Sequence, residues 1–488
     1  MKAKKTIIAL GLLFVLAFFL RFYSLPSNLF IGPEQGRDLL VIRDLVMSHK
    51  LILIGPKTDV DGIFHGPLFY YLSSIPFFLS LGNPIFISGF LILIQSVTVF
   101  LVYIIGRDFF NKRTGYIAAI LFTVSFGSIV YSRWLSNPPL SVPMGALFFY
   151  FLYKYIKGDR KYLLLVSIFF GITFQVEFIN LPFLSIVMAI VLLKYWRIFL
   201  KERISVLILS LTLLLFTAFG TYLFFDIRHE FLITNSLMKL LNNPTQYFSF
   251  VSTVSHAIKM FIQFMSDFIL PISFSVIPLV LLIVFVLWRE KHKVLDASSF
   301  LILLWIFIPL LTLILLRHDV IQHFFLLSGI GLILGIAICL EKIMRAYFKL
   351  GLLIVFSLVG IHMYVWFSNI PNNKNIYFQT TQAELKYSDQ ERVIAWVYQE
   401  GKDESFDIQS YTIPYWSQQA WEYLFWYSGK EKNYFPTKEA KILYVIIQED
   451  PSSQAFQDSW LNNTVSAWGE REKVATFGAL RVEKLRTK

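Results

Sequence analysis

Cysteine is nearly absent: Cys339 stands alone inside an apolar run, so no disulfide can form within the chain. Any part outside a membrane must therefore rest on its own core. Charge is scarce too, at 16% of the 488 residues against 56% apolar, and the mean hydropathy is +0.60. That balance excludes an ordinary soluble globule and describes a polytopic membrane protein. The net charge of +12 does not point to nucleic acid, because the Lys and Arg residues sit in short loops between apolar runs. They read as a topology signal. No small-x-small cleavage site follows the basic start and apolar run of residues 1–23, only Arg21 and Tyr23, which predicts an uncleaved first span. Neither an internal repeat nor a nucleotide-binding pattern is present.

Aromatic residues, by contrast, are abundant at 17%, with 50 Phe. Apolar segments fall near 6–23, 67–81, 84–105, 114–133, 139–156, 161–176, 178–196, 204–225, 270–288, 298–316, 321–340 and 349–367. Most approach the roughly 17–25 residues a spanning helix needs. The stretch 67–81 is short and carries Pro76 in its middle. Treating it as re-entrant or interfacial places six basic stretches, holding 20 Lys and Arg, on one side, while the opposite loops hold 8. The positive-inside rule selects this arrangement. The expectation is an all-α polytopic membrane protein of about eleven transmembrane helices plus the re-entrant or interfacial helix. Its N-terminus is cytoplasmic, and the first outer loop (24–66) and a second large one (226–258) lie outside.

Composition changes after Phe367, dividing a transmembrane part (1–367) from a small extracytoplasmic α/β domain (368–488). Within the latter, 391–400 and 415–427 read as helices, "SFDIQSYTI" and "AKILYVIIQ" as strands, and "VATFGALRVEKL" as a hairpin around Gly478.

Chemistry-bearing residues gather on the outer side. "GPEQGRDLLV" brings Glu34, Arg37 and Asp38 together just past the first span, with Pro33 and Gly36 as turn residues and a periodic run following. The trio then stands at a helix start, where Asp38 could cap. A carboxylate at the edge of a bilayer suits general-base work, because partial desolvation raises its pKa. In "DVDGIFHGPLFYY", Asp59 and Asp61 lack the other ligands of a calcium loop and read as a turn. His65 would lie where a lipid phosphate sits. Arg133 and Asn137 occupy a short outer loop, and Glu177 lies in a tight outer turn where ionisable groups face a cavity or partner. Arg228 with His229, and Arg317 with His318, stand at outer membrane edges, where anchoring competes with binding a lipid phosphate through guanidinium.

The chain resembles the GT-C superfamily of polyprenyl-phosphate-sugar glycosyltransferases, in its protein O-mannosyltransferase and aminoarabinose transferase branch, most strongly over 20–160. Glu34 and Arg37 keep the spacing of the acid-x-x-Arg motif in the family's first outer loop, with Gln35 in place of a second acid. "HGPLFYY" matches the family's aromatic hairpin and "IGRDFFNKRTG" its basic inner loop. An acid of the second loop is replaced by Asn137, a loss for which Asp38 could compensate. The resemblance implies an inverting transferase moving a monosaccharide from a polyprenyl-phosphate donor to an acceptor hydroxyl. Glu34 would be the base, with Asp38 beside it. Arg37, His65, Arg317 and His318 would bind the donor phosphate, and Arg133, Asn137, Glu177, Arg228 and His229 would line the acceptor cavity. No cofactor is required, although Glu34 and Asp38 could hold a divalent cation. The implied partners are the lipid-linked sugar and membrane lipids, in the cytoplasmic membrane of a prokaryote. A flippase of lipid-linked sugars and a non-catalytic membrane scaffold are the alternatives from residues alone; the missing repeat speaks against the former.

Overall fold

The computed structural model describes residues 2–242, 249–272, 296–317, 320–371, 385–401, 404–413, 417–431, 433–438, 440–450 and 453–487. The first span is α1 (Lys2–Phe22). After it come α2 (Leu25–Asn28) and α3 (Pro33–Met47), then α4 (Leu68–Ser80), α5 (Pro84–Phe109), α6 (Lys112–Val124) and α7 (Phe126–Ser132). The chain continues through α8 (Ser141–Ile156), α9 (Tyr162–Val176), α10 (Asn180–Phe199), α11 (Ile204–Arg228), α12 (Leu232–Asn242) and α13 (Phe250–Ile269). Then follow α14 (Ala297–Leu316), α15 (Gly329–Ala346) and α16 (Phe348–Asn369).

Among the described residues, seven helices are long and apolar enough to cross a membrane: α1, α5, α10, α11, α14, α15 and α16. The pair α6 and α7 makes an eighth, bent by 56°. The protein is thus a multi-pass membrane protein. Fewer long helices are seen than the eleven expected spans, and the reason is partly length. At 16 and 15 residues, α8 and α9 reach only about 22–24 Å, short of the ~30 Å hydrocarbon layer. The apolar run 270–288 lies outside the described residues for all but its first three positions. With 13 residues and Pro76 inside, α4 is too short to span.

The bend between α6 and α7 shows how the bundle handles polar backbone at membrane depth. Breaking a helix orphans carbonyls before the break and N–H groups after it. Fully buried Arg21 donates to the carbonyls of Phe122 and Thr123 and to Ser128 Oγ, while Phe126 N–H donates to His362 Nδ1. His362 Nε2 in turn reaches Ile269 O. A charged side chain that composition alone presents as the end of a span is a bracket for the neighbouring broken one.

Within the expected outer loop 226–258 the described residues are largely helical. It contains α12 and the start of α13, whose Thr253, Ala257, Phe261, Phe264 and Phe268 form one buried stripe at helical spacing. His256, Lys259 and Gln263 interrupt the apolar run on the other face, so a search for continuous apolar segments passes over an amphipathic helix.

At the C-terminal end lie α17 (Tyr387–Gly401), β1 (Phe406–Tyr411), α18 (Gln419–Gly429), β2 (Ile442–Gln448), β3 (Gly469–Phe477) and β4 (Leu480–Thr487). The sheet runs β1-β2-β4-β3, with β1 parallel to β2 through the α18 crossover and the other pairs antiparallel. Every residue of the central strand β2 is buried, as befits a sequence apolar up to its final Gln448. Both strands, both helices and the hairpin around Gly478 (φ +58°) occur where the sequence pattern puts them.

This unit does not stand apart. Leu29, Ile31, Leu39, Phe69 and Phe77 share one hydrophobic cluster with Ile394, Trp421, Leu424 and Tyr444. Polar bonds seal the seam: Tyr387 N–H donates to Leu29 O, Gln390 Nε2 to Ile31 O, and Tyr423 Oη to Gly82 O. Helix α18 lies so close to α3 that a Cβ on Gly36 would stand 2.3 Å from Ala420 Cα. The glycine of "EQGRD" is there to admit a neighbouring backbone.

Candidate active site

Helix α3 starts with Gly32 as N-cap and Pro33 as first residue, and Gln35 Oε1 accepts the Gly32 N–H at 3.2 Å. Pro at the first helical position costs no hydrogen bond. This start places Glu34, Arg37 and Asp38 at i, i+3 and i+4, on one side of the helix. Glu34 is exposed and makes no hydrogen bond or ion pair among the described residues. Asp38 is 3% exposed, and its Oδ1 accepts from Arg37 Nε at 2.9 Å and from Tyr70 Oη at 2.8 Å. Burial raises the Asp38 carboxyl above its ordinary range, against the opposing pull of Arg37 and the Tyr70 hydroxyl; the charge of Glu34 adds to the rise. The desolvated acid of the trio is therefore Asp38, and the accessible one is Glu34. Asp38 does not cap the helix, because it lies past the first turn and is engaged by side chains.

The stretch between α3 and α4 folds back as a small hairpin. Gly55 N–H donates to His65 O, and His65 N–H donates to Pro56 O. Its tip, "TDVDG", is a turn held by Thr58 Oγ1 on Ile63 O, with Gly62 at φ +79°. Asp61 only faces solvent-exposed Lys57 at 3.7 Å. The hairpin docks on the end of α9: Gly66 N–H donates to Gln175 O, and a Cβ on Gly66 would overlap the Gln175 amide.

This docking carries His65 to Glu177. Phe178 N–H donates to His65 Nδ1 at 3.1 Å, so the ring proton resides on Nε2, and Glu177 Oε1 lies 3.6 Å from Nδ1. Burial, then the nearby His323 and Arg37, push His65 down to about 3. Burial, then Asp59, push Glu177 up to about 8. At neutral pH the two face each other uncharged. The His323 ring meets Trp134 edge-on at 5.2 Å.

Five of the expected residues thus gather at one place: Glu34, Arg37, Asp38, His65 and Glu177. The others lie as follows. Arg133 donates to the carbonyls of Arg21 and Tyr23 and to Asn28 Oδ1, closing the C-terminal end of α1. Asn137 Nδ2 donates to Val176 O at 2.7 Å and so supports the turn that presents Glu177. Arg228 and His229 are exposed at the end of α11, with His229 stacked on Phe225. Arg317 is an exposed left-handed residue (φ 53°) ending α14, with its guanidinium over the Phe250 ring. His318 lies outside the described residues.

Tyr70 is not expected at the site, whereas His323 belongs to the outer-edge basic group that the sequence pattern picks out with Arg317 and His318. Tyr70 sits in an aromatic run that reads as membrane contact, and only the chance of a hydroxyl reaching back to Asp38 could have flagged it. For a divalent cation the fit is poor. Asp38 is engaged by Arg37 and Tyr70, and among the described residues no three His, Cys, Asp or Glu side chains converge on one point.

Residues 64–222 match the family model of dolichyl-phosphate-mannose-protein mannosyltransferases. Among curated proteins no sequence relative matches. The crystal structure of ArnT from Cupriavidus metallidurans bound to undecaprenyl phosphate has a TM-score of 0.67 at 9% identity, over 99% of this chain and 98% of that one. Its apo state gives 0.67 at 11% identity, with the same coverage. The apo oligosaccharyltransferase of Archaeoglobus fulgidus gives 0.52 at 13% identity, over 85% of this chain and 63% of that one. Over its whole length the chain thus shares the fold of the ArnT structures, and over 64–222 it matches the mannosyltransferase family model.

Proposed function

We propose that the protein transfers a monosaccharide from a polyprenyl-phosphate donor to an acceptor hydroxyl, with inversion, on the extracytoplasmic face of the membrane. The observation that carries this reading is the Glu34–Arg37–Asp38–Tyr70 cluster facing His65, at the junction of the bundle with the C-terminal unit. The match of 64–222 to a lipid-phosphate-dependent sugar transferase family supports it. So does the likeness to ArnT, whose structure holds undecaprenyl phosphate.

The two acids divide the work by accessibility. Glu34, open to approach, takes the proton of the acceptor hydroxyl as that oxygen attacks the anomeric carbon. Asp38 fixes Arg37 by the 2.9 Å bond and holds the Tyr70 hydroxyl, so that the guanidinium meets the departing phosphate without reorganising. His65, neutral at rest, offers its Nε2–H to a phosphate oxygen. The C-terminal unit packs on α3 at Gly36, between Glu34 and Arg37 in sequence, which suits it to receive the acceptor. The basic loops expected on the far face support an outside position for this side.

The test is sugar transfer in membranes supplied with labelled polyprenyl-phosphate hexose or pentose, comparing wild type with Glu34→Gln at matched expression. A loss of at least about a hundredfold, within the range for removing a general base, with donor binding kept, is the expected outcome. Undiminished transfer by Glu34→Gln would remove Glu34 from the role. Absence of transfer from every donor by wild type would overturn the reading.

A further inference from the structure

Glu177 is 4% exposed, and its Oε2 is buried without a hydrogen-bond partner. Among the described residues no Lys or Arg is paired with the carboxyl: the charged or titratable groups that act on it are His65 at 3.6 Å, Asp59 in the hairpin turn and Tyr222 on α11. The Tyr222 hydroxyl is committed to Phe64 O. An ionised carboxylate in this setting would be an uncompensated buried charge. A neutral acid fits it, and the rise of Glu177 to about 8 agrees. Across the 3.6 Å gap His65 shows its unprotonated nitrogen, and Arg37 and His323 are the further titratable groups close enough to act on the ring.

Resting on the donor reading above, we propose that Glu177 is the proton source for the leaving phosphate, acting through His65. As the bond between the anomeric carbon and the phosphate oxygen breaks and the bond to the acceptor oxygen forms, the leaving group becomes a phosphate monoester with growing negative charge. His65 gives its Nε2 proton to that phosphate while Nδ1 receives the proton of Glu177. A small closing movement brings Glu177 Oε1 into hydrogen-bond range, and Phe178 N–H exchanges the ring nitrogen for the new carboxylate. The step ends with Glu177 ionised, His65 neutral and the lipid phosphate singly protonated. The acceptor's own proton rests on Glu34; exchange with water returns both acids to their starting states, and His65 regains a proton on Nε2 as it gives up the one on Nδ1, which then accepts from Phe178 N–H again. Glu177 is thus a positioning and proton-supplying residue behind His65, and it does not touch the donor.

The carbonyl stretch of a buried carboxylic acid in the infrared difference spectrum tests this directly, without requiring turnover. The full chain in lipid nanodiscs at neutral pH is titrated with undecaprenyl phosphate, and binding is followed in parallel. The expected result is a carboxylic-acid band, missing in Glu177→Gln, that is lost on binding in wild type but persists in His65→Gln. If Glu177→Gln does not fold, carbon-13 labelling of glutamate assigns the band in wild type. No such band in the unliganded protein, or a band untouched when the lipid phosphate binds, would overturn the relay and leave the transferase reading standing. Failure of undecaprenyl phosphate to bind at all would overturn the donor reading, and the relay with it.

Discussion

Two carboxyls are buried at the same site to nearly the same depth, Asp38 at 3% exposure and Glu177 at 4%, yet they are built for opposite purposes. Asp38 has a guanidinium and a phenol on one oxygen, so its environment favours a fixed negative charge within a bonded unit. Glu177 has an imidazole with no proton to give on the facing side and a second oxygen with no partner. Burial raises both acids, but only at Asp38 do partners oppose the rise. The difference teaches that depth alone does not assign a role. What decides is whether the neighbours can complete the charge.

The sharpest way to break the comparison is to strip Asp38 of its cation. Arg37→Met should cost transfer at least about a hundredfold, by removing the phosphate contact. It should also cost about 2 kcal/mol of stability, below the 3–5 typical of a broken buried pair because Arg37 is partly exposed. Adding Asp38→Asn should recover most of the stability and none of the transfer; thermal melts and assays of the single and double variants check both. If the double variant is no more stable than the single, Asp38 is not held as a charge.

Gly36→Ala leaves both carboxyls intact but moves the helix that carries one of them. With a methyl group driven to 2.3 Å from the Ala420 backbone, α3 or α18 must shift, at about 1–3 kcal/mol. Transfer should fall while the behaviour attributed to Glu177 is unchanged, because the hairpin and α9 are not touched. Limited proteolysis of the C-terminal unit reports the loosened seam.

The gentlest test uses pH. Glu177 is raised in the folded protein, from the ordinary 4.5 to about 8, so the folded state holds the extra proton. Its contribution to stability is fully present below about pH 4.5 and is lost as pH rises through 8. The stability of Glu177→Gln relative to wild type should therefore climb across that window, at up to about 1.4 kcal/mol per pH unit. A stability difference between the two that does not vary with pH would show that Glu177 is ionised throughout.

Much of the site was legible because it is local. Glu34, Arg37 and Asp38 are within five residues, and helical spacing brings them to one side. The hairpin strands of the C-terminal unit were legible for the same reason, since alternation and a glycine turn are short-range signals. The meeting of His65 with Glu177, 112 residues apart, was not. It depends on Gly66 admitting the Gln175 side chain, a fit that no periodicity announces. Basic loops that look alike in sequence also diverge in three dimensions. Arg133 closes a helix end and Arg317 stands over a phenyl ring, because a guanidinium near the membrane takes whichever carbonyl or aromatic face is nearest. Tyr70 illustrates the converse, an aromatic residue whose polar end proved to be the part that counts.

The seam between first loop and C-terminal unit also sets a timetable. Ser388 Oγ bonds to Ser27 O across 361 residues of chain. At ~5–20 residues per second, the early loop waits roughly 20–70 seconds during synthesis for the partner that covers its apolar side. Until then Leu29, Ile31 and Leu39 have Phe69 and Phe77 of the bundle beside them but lack Ile394, Trp421 and Leu424 on the other side. The Glu34–Arg37–Asp38 trio is translated among the first residues and its surroundings are finished among the last, so a chain interrupted anywhere before its final hundred residues carries the motif without the neighbours that pack against it.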